Sequence, residues 1–284
     1  MMNVLNRKTP AQELDEWALR LRDDIRSQRL SLPVLPEVTR KLRDIVQDNN
    51  VALRVLAQTV AAEPALVARI LKSTSSSLMG LEPTQSLDTA IARLGLNAVR
   101  GMVFNYCLSK LFKERQTGPL KEELRRLWQR ATLTGLFGQM LAQRLKQENS
   151  YALLAGLIHN VGAMPVVALF AQHKELAGKL DLMRGLIAAQ QAELGEMIAR
   201  HWGLEDDVAT IPRKLRNDSE ISVLLDMTRC AVKLAEWFES PGYTIDGIAR
   251  LPAARRLQID GAQLALWVAD ARPQITELYN VLAD

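Results

Sequence analysis

His159 and Asn160 stand side by side in an otherwise apolar run, Tyr151-Ala152-Leu153-Leu154-Ala155-Gly156-Leu157-Ile158-His159-Asn160-Val161-Gly162-Ala163-Met164-Pro165. A His-Asp pair in that setting would offer a divalent cation an imidazole and a carboxylate from one helix. Here the second residue is an amide, which is neutral, a weak ligand through its carbonyl, and no general base. The frame is that of a hydrolase site with its chemistry altered. Only His159, His173 and His201 occur in the chain, so no second set of imidazoles can restore a metal site. Cys107 and Cys230 lie far apart inside apolar helical patterns, which points to buried free thiols and not to a disulfide or zinc. Ser73-Thr74-Ser75-Ser76-Ser77 lacks the Gly and Lys of a phosphate-binding loop and reads as a helix end.

A second cluster that could do chemistry is basic. Arg213, Lys214 and Arg216 follow Ile211-Pro212. They make either a solvated turn, the preferred reading, or a clamp for a small anionic ligand. The net charge of +4 tolerates such a ligand, but no long Lys/Arg stripe stands out, which argues against nucleic acid. His159 has the same duality. It is a former ligand, a phosphate or nucleotide contact, or, by preference, a core histidine bonded to Asn160 or a backbone carbonyl. His173, in Gln172-His173-Lys174-Glu175, falls on an expected exposed face and is given no role, and Trp202 is read as a core anchor.

The elements that must position these residues are helices. The chain of 284 residues is 48% hydrophobic with only 5% aromatics, so its core is Leu, Ala, Val and Ile, and period-two alternation is nearly absent. The fold class expected is all-α. Leu14, Trp17, Ala18, Leu21 and Ile25 stripe an amphipathic helix over 11–30. Pro33 and Pro36 break it, and Val38, Leu42, Ile45 and Val46 repeat at helical spacing up to the polar stop Asp48-Asn49-Asn50. Short helices follow through Leu53, Leu56 and Val60, and then from Glu63-Pro64. Ser86 caps the helix carrying Ala90, Ile91 and Leu94, and Asn97 caps the next one. Gln116-Thr117-Gly118-Pro119 is the expected internal boundary, with helices beyond it around 120–147, 150–161, 164–181, 184–202, 219–240 and 260–283. Tyr151 to Ala171 has no Asp, Glu, Lys or Arg and could span a bilayer by length. Its His, Asn, Gly and Pro favour two buried core helices instead. No charged-then-apolar leader opens the sequence, so a cytoplasmic location is expected.

In this arrangement the chain resembles the HDOD family, the non-catalytic relatives of the HD metal-dependent phosphohydrolases. The carrying residues are Leu32-Pro33-Val34-Leu35-Pro36-Glu37-Val38, Glu63-Pro64-Ala65-Leu66 through Arg69-Ile70-Leu71, and Ser86-Leu87 through Ala90-Ile91 to Leu94-Gly95. Further along they are Leu127-Trp128, Ala155 to Gly162, and Glu193-Leu194-Gly195 leading to Trp202-Gly203-Leu204. The resemblance covers roughly 20–240. It implies two helical lobes, the second an HD-like bundle: an N-terminal amphipathic helix at 1–30, a first lobe at 31–116 and the HD-like lobe at 120–284.

Catalytic HD relatives carry a His, a His-Asp pair and a distant Asp. On that pattern Arg130 falls at the first His, His159 at the second, Asn160 at the first Asp, and Glu236 near the last. A guanidinium cannot bind a metal and repels one. The His-His pair frequent in the family after Trp-Gly-Leu is replaced here by Arg213, Lys214 and Arg216. The resemblance also suggests that Arg130 and Glu236 pair where the metal would lie. Pro241-Gly242-Tyr243 has the wrong order for a Gly-Tyr-Pro signature and reads as a surface turn. The expectation is therefore a non-enzymatic regulatory scaffold without cofactor or metal. It would contact signalling proteins through the 11–30 helix or the C-terminal helix (Leu264, Trp267, Val268, Ile275, Leu278), and it need not meet a membrane. The alternative is a metal-dependent phosphohydrolase with an unorthodox site using His159, Glu236 and nearby acids such as Glu193.

Overall fold

Helix starts follow capping chemistry. Thr9 and Gln12 form a reciprocal capping box at the first helix, and Ser86 and Ser222 accept the backbone N–H three residues on. The computed structural model describes residues 9–33, 57–58, 60–74, 84–113, 118–147, 151–240, 242 and 244–283, and every regular element among them is helical. The segments at 34–56 and 75–83, Gln116-Thr117 of the expected boundary, Pro241 and Tyr243 lie outside the described residues.

The helices are α1 (Pro10–Arg26), α2 (Pro64–Thr74), α3 (Leu87–Leu94), α4 (Leu96–Lys113), α5 (Pro119–Arg144), α6 (Ala152–Ile158), α7 (Ala163–Gln172), α8 (Leu180–His201), α9 (Asp206–Ala209), α10 (Ile211–Lys214), α11 (Val223–Glu239), α12 (Ile245–Ala249), α13 (Pro252–Arg256) and α14 (Gly261–Ala283). The first helix stops four residues before its expected end, with Ser27 as cap and Gln28 in the left-handed region at φ 57°. Helix α4 begins one residue before Asn97, directly after Gly95 at φ 79°, a conformation that favours glycine.

Helix α5 is the axis of the molecule. Helices α4, α6, α11 and α14 pack on it, and its inward side chains Leu124, Trp128, Phe137, Met140 and Leu141 are buried. Residues 152–172 are the one described stretch with the length and apolarity to cross a membrane, yet 89% of that window is buried inside the protein. It is broken at His159–Gly162 into α6 and α7, as its Gly and Pro foretold.

Both terminal stripes are used internally. Trp17, Ala18 and Leu21 are buried where α1 lies on α7 and α8, and Leu264, Val268, Ile275 and Leu278 are buried where α14 lies on α2, α4, α5 and α12. Leu14, Ile25 and Trp267 of the same stripes are partly buried. Three smaller expectations resolve in the same packing. Trp202 is a core anchor, edge-on to Phe104 and donating from Nε1 to Pro33 O at 2.8 Å. Cys107 and Cys230 are buried free thiols, and burial pushes Cys230 up to about 12. His173, expected on an exposed face, is instead half-buried between Trp17 and the carboxylates of Asp24 and Glu175, because α1 folds over it.

Candidate functional site

Glycines decide where His159 comes to rest. Helix α6 crosses α5 with Gly156 against Gly135. A Cβ on Gly156 would meet Thr134 C at 2.6 Å, and one on Gly135 would meet Leu153 O at 2.9 Å. A few residues on, Gly162 lies against α8, where a Cβ would come within 2.5 Å of Gly195 N. Gly195 in turn abuts Pro212 of α10. Backbone-on-backbone contact at these points brings the end of α6 to the junction of α5, α8 and α11. The glycines within the Ala155–Gly162 and Glu193–Gly195 motifs thus serve close packing.

At that junction the imidazole of His159 donates from Nδ1 to Gly156 O at 2.6 Å, since a carbonyl can only accept. The neutral ring therefore leaves Nε2 as an acceptor on the wall of a groove. Burial, with the Arg130 guanidinium adding to it, holds the imidazole down to about 4 against the opposing pull of Gly156 O and Glu236. The unfolded ring titrates near 6.5, so this histidine's contribution is full above that pH and is lost as pH falls toward 4. Discounted for the ring's partial exposure, about 2 kcal/mol separates the two ends of the window. The stability advantage of the wild type over His159→Gln should shrink by that amount between pH 7 and pH 4, read from urea unfolding at each pH.

Asn160 is committed differently. Its Nδ2 donates to Leu127 O at 2.8 Å, while its Oδ1 is buried and, among the described residues, has no hydrogen-bond partner. An aspartate in this place would set a carboxylate oxygen against a carbonyl oxygen at a position only 4% exposed. Asn160→Asp should cost about 2 kcal/mol at neutral pH. Part of that loss should return in acid, where a protonated carboxyl can donate to Leu127 O, and thermal melts at pH 7 and pH 4.5 would show the difference.

Arg130 lies on the same groove wall, but its expected pairing with Glu236 is replaced. Its Nε donates to Glu239 Oε2 at 2.8 Å and its Nη2 to the same oxygen. Glu236 accepts from Lys233 at 2.8 Å instead. The two glutamates are nearly one turn apart on α11, and the crossing of α5 over α11 selects the later one. Of the three basic residues after Pro212, only Arg216 reaches the groove. Arg213 turns to Glu196, and Lys214 lies 3.8 Å from Glu220. Glu193 points the other way, exposed toward Arg22 of α1 at 3.8 Å.

These donors do not suit a divalent cation. Of the expected site residues only His159 Nε2 and the Lys233-bonded Glu236 could ligate, Glu123 on the same hollow is held by Arg126, a guanidinium stands beside them, and among the described residues no three His, Cys, Asp or Glu side chains converge.

Sequence reasoning missed the group that builds the groove's far wall. Asp226, 2% exposed, takes both Arg256 nitrogens at 2.6 Å and Arg229 Nη1 at 2.8 Å. Arg229 also donates to the carbonyls of Lys214 (2.9 Å), Asn217 (2.6 Å) and Glu220 (3.0 Å). One buried guanidinium thus fixes the turn that carries Arg216. The signal was present, since Asp226 and Arg229 interrupt an apolar stripe at i, i+3. Gln191 and Arg184 of α8, also on the groove, carried no comparable signal.

The chain matches the HDOD domain family over residues 32–215. A comparison with curated proteins finds no match. Among solved structures it is similar to a protein of Shewanella amazonensis SB2B, proposed to be a metal-dependent phosphohydrolase. The two are 21% identical with a TM-score of 0.77, covering 95% of this chain and 98% of that one. An HDOD domain protein of unknown function from Geobacter sulfurreducens gives 21% identity and a TM-score of 0.67, over 94% and 98%. At such identities the likeness is one of fold.

Proposed function

This chain belongs to the HDOD domain family, and from that premise we propose that it is a non-catalytic regulatory scaffold of the bacterial cytoplasm, acting through contact with a signalling protein. Its HD-type site is degenerate. The single observation that carries this reading is the donor set around His159. Arg130 brings a positive charge where the HD pattern has an imidazole, and the Asn160 amide is spent on Leu127 O. Hydrolysis by bridging metals needs several carboxylates and imidazoles converging with open positions. Most of the apolar stripes of α1 and α14 is covered by the chain itself, which favours a contact surface elsewhere.

A second reading, a metal-dependent phosphohydrolase with an unorthodox site, is favoured by what the Shewanella protein is proposed to be. It would have to work with His159, Glu236 and the exposed Asp218 of the neighbouring turn, since Glu193 faces α1. The two readings part in a turnover assay on phosphomonoester, phosphodiester and cyclic dinucleotide substrates with manganese, iron or zinc supplied. The scaffold reading predicts rates at the buffer background. Turnover that disappears in His159→Ala would overturn it.

A further inference from the structure

The groove around His159 has two connected hollows of about 260 and 430 Å³, which share His159, Gln191, Arg216 and Glu236. Most of its cations are already committed. Arg126 bonds Glu123, Arg130 bonds Glu239, Lys233 bonds Glu236, and Arg229 is saturated by carbonyls and Asp226. Two guanidiniums keep most of their donors. Arg216 donates to Ala188 O and, among the described residues, meets no carboxylate within ion-pair distance. Among the described residues Arg184 has only Asp181 at 3.7 Å, on the exposed surface of its own helix. Ala188, which accepts from Arg216, lines the smaller hollow together with Arg184 and Arg216.

The hollow that these arginines line also offers acceptors. His159 presents an unprotonated Nε2, Glu236 presents a carboxylate, and Asn160, 4% exposed, holds an Oδ1 with no partner among the described residues. A buried acceptor left unsatisfied in a groove wall is a cost to the free protein that a donor can relieve. A guanidinium with spare N–H groups can take a phosphate oxygen pair in bidentate fashion, and this hollow is lined by two.

We infer that this groove binds a phosphomonoester of about mononucleotide size. Its phosphate lies on Arg184 and Arg216, and hydrogen-bond donors at its far end face His159 and Glu236. The inference rests on the scaffold reading only in taking the groove to be free of metal chemistry. The bound molecule would bridge α8, the turn at 215–218 and α11, and so tie together the elements that meet at the end of α6.

Calorimetric titration of the full chain in EDTA tests it, with inorganic phosphate and the four ribonucleoside 5′-monophosphates as probes. At least one nucleotide should bind, and more tightly than phosphate. Arg184→Gln and Arg216→Gln should each weaken that binding about tenfold or more, as loss of a charge-assisted bond implies. Arg213→Gln, which removes the same charge beside Glu196 outside the groove, should leave it unchanged. Both groove arginines are exposed, so their variants should fold, and an unchanged melting temperature checks this. Absence of binding in EDTA, equal weakening by Arg213→Gln, or phosphate binding as tightly as any nucleotide would each overturn the inference while leaving the scaffold reading intact. Binding that appears only when metal is added would overturn both.

Discussion

Gly156→Ala is expected to abolish the stable fold. The added methyl would sit 2.6 Å from Thr134 C and closer still to Gly135, all of it backbone in the middle of α5. A flexible side chain could swing aside, but a helix backbone held by its own hydrogen bonds cannot. Relief therefore requires α5 and α6 to separate along a seam that includes Leu133, Leu136, Leu153 and Leu157, all buried. Overpacking of a core commonly costs 1–3 kcal/mol, and a backbone clash at a helix crossing belongs above that range, at about 4 kcal/mol or more. That is a large share of the roughly 5–15 kcal/mol that holds a typical domain together. Gly242→Ala is the matched control. A Cβ there meets nothing within 4 Å, and its urea midpoint should not move.

Asp226→Ala should be nearly as damaging by a different route. It leaves the side chain of Arg229, 8% exposed, and the neighbouring Arg256 without their shared carboxylate. Removing one partner from a buried pair costs about 3–5 kcal/mol, because the remaining charge has lost its counter-ion away from water. The damage should also be local in character. Arg229 holds the carbonyls of Lys214, Asn217 and Glu220, so amide exchange across 214–220 should quicken more than that of α5. Arg229→Met combined with Asp226→Ala should recover part of the loss, since the double variant leaves no unpaired charge on α11. A double variant as unstable as the sum of the single ones would show that the two side chains act independently.

Much of the fold could be read from residues whose chemistry is local. Ser86 capped the helix it was expected to cap, Pro119 opened α5, and Gly162 with Pro165 placed the break that turns one apolar run into α6 and α7. Errors gathered where the outcome depends on what lies across a helix interface. The helix expected from residue 219 begins at Val223, because Arg229 draws the carbonyls before it into a turn and Ser222 supplies the cap. Arg130 had two glutamates on the same face of α11 to choose from, and only the crossing of the helices made the choice. His173 seemed to have a solvent face until α1 covered it. The site was legible as a set of residue types around His159. Which of them hold each other and which keep free donors is a property of the packing. That is why Arg216 stands in the groove while Arg213 and Lys214, its neighbours in sequence, do not.

The loss of metal chemistry at His159 is the claim on which the functional account rests. Its most direct test is the metal content of the purified, chelator-stripped protein after equilibration with manganese, iron and zinc in turn. The account predicts no stoichiometric metal in the wild type with any of the three. A full equivalent per chain, lost in His159→Ala, would contradict it.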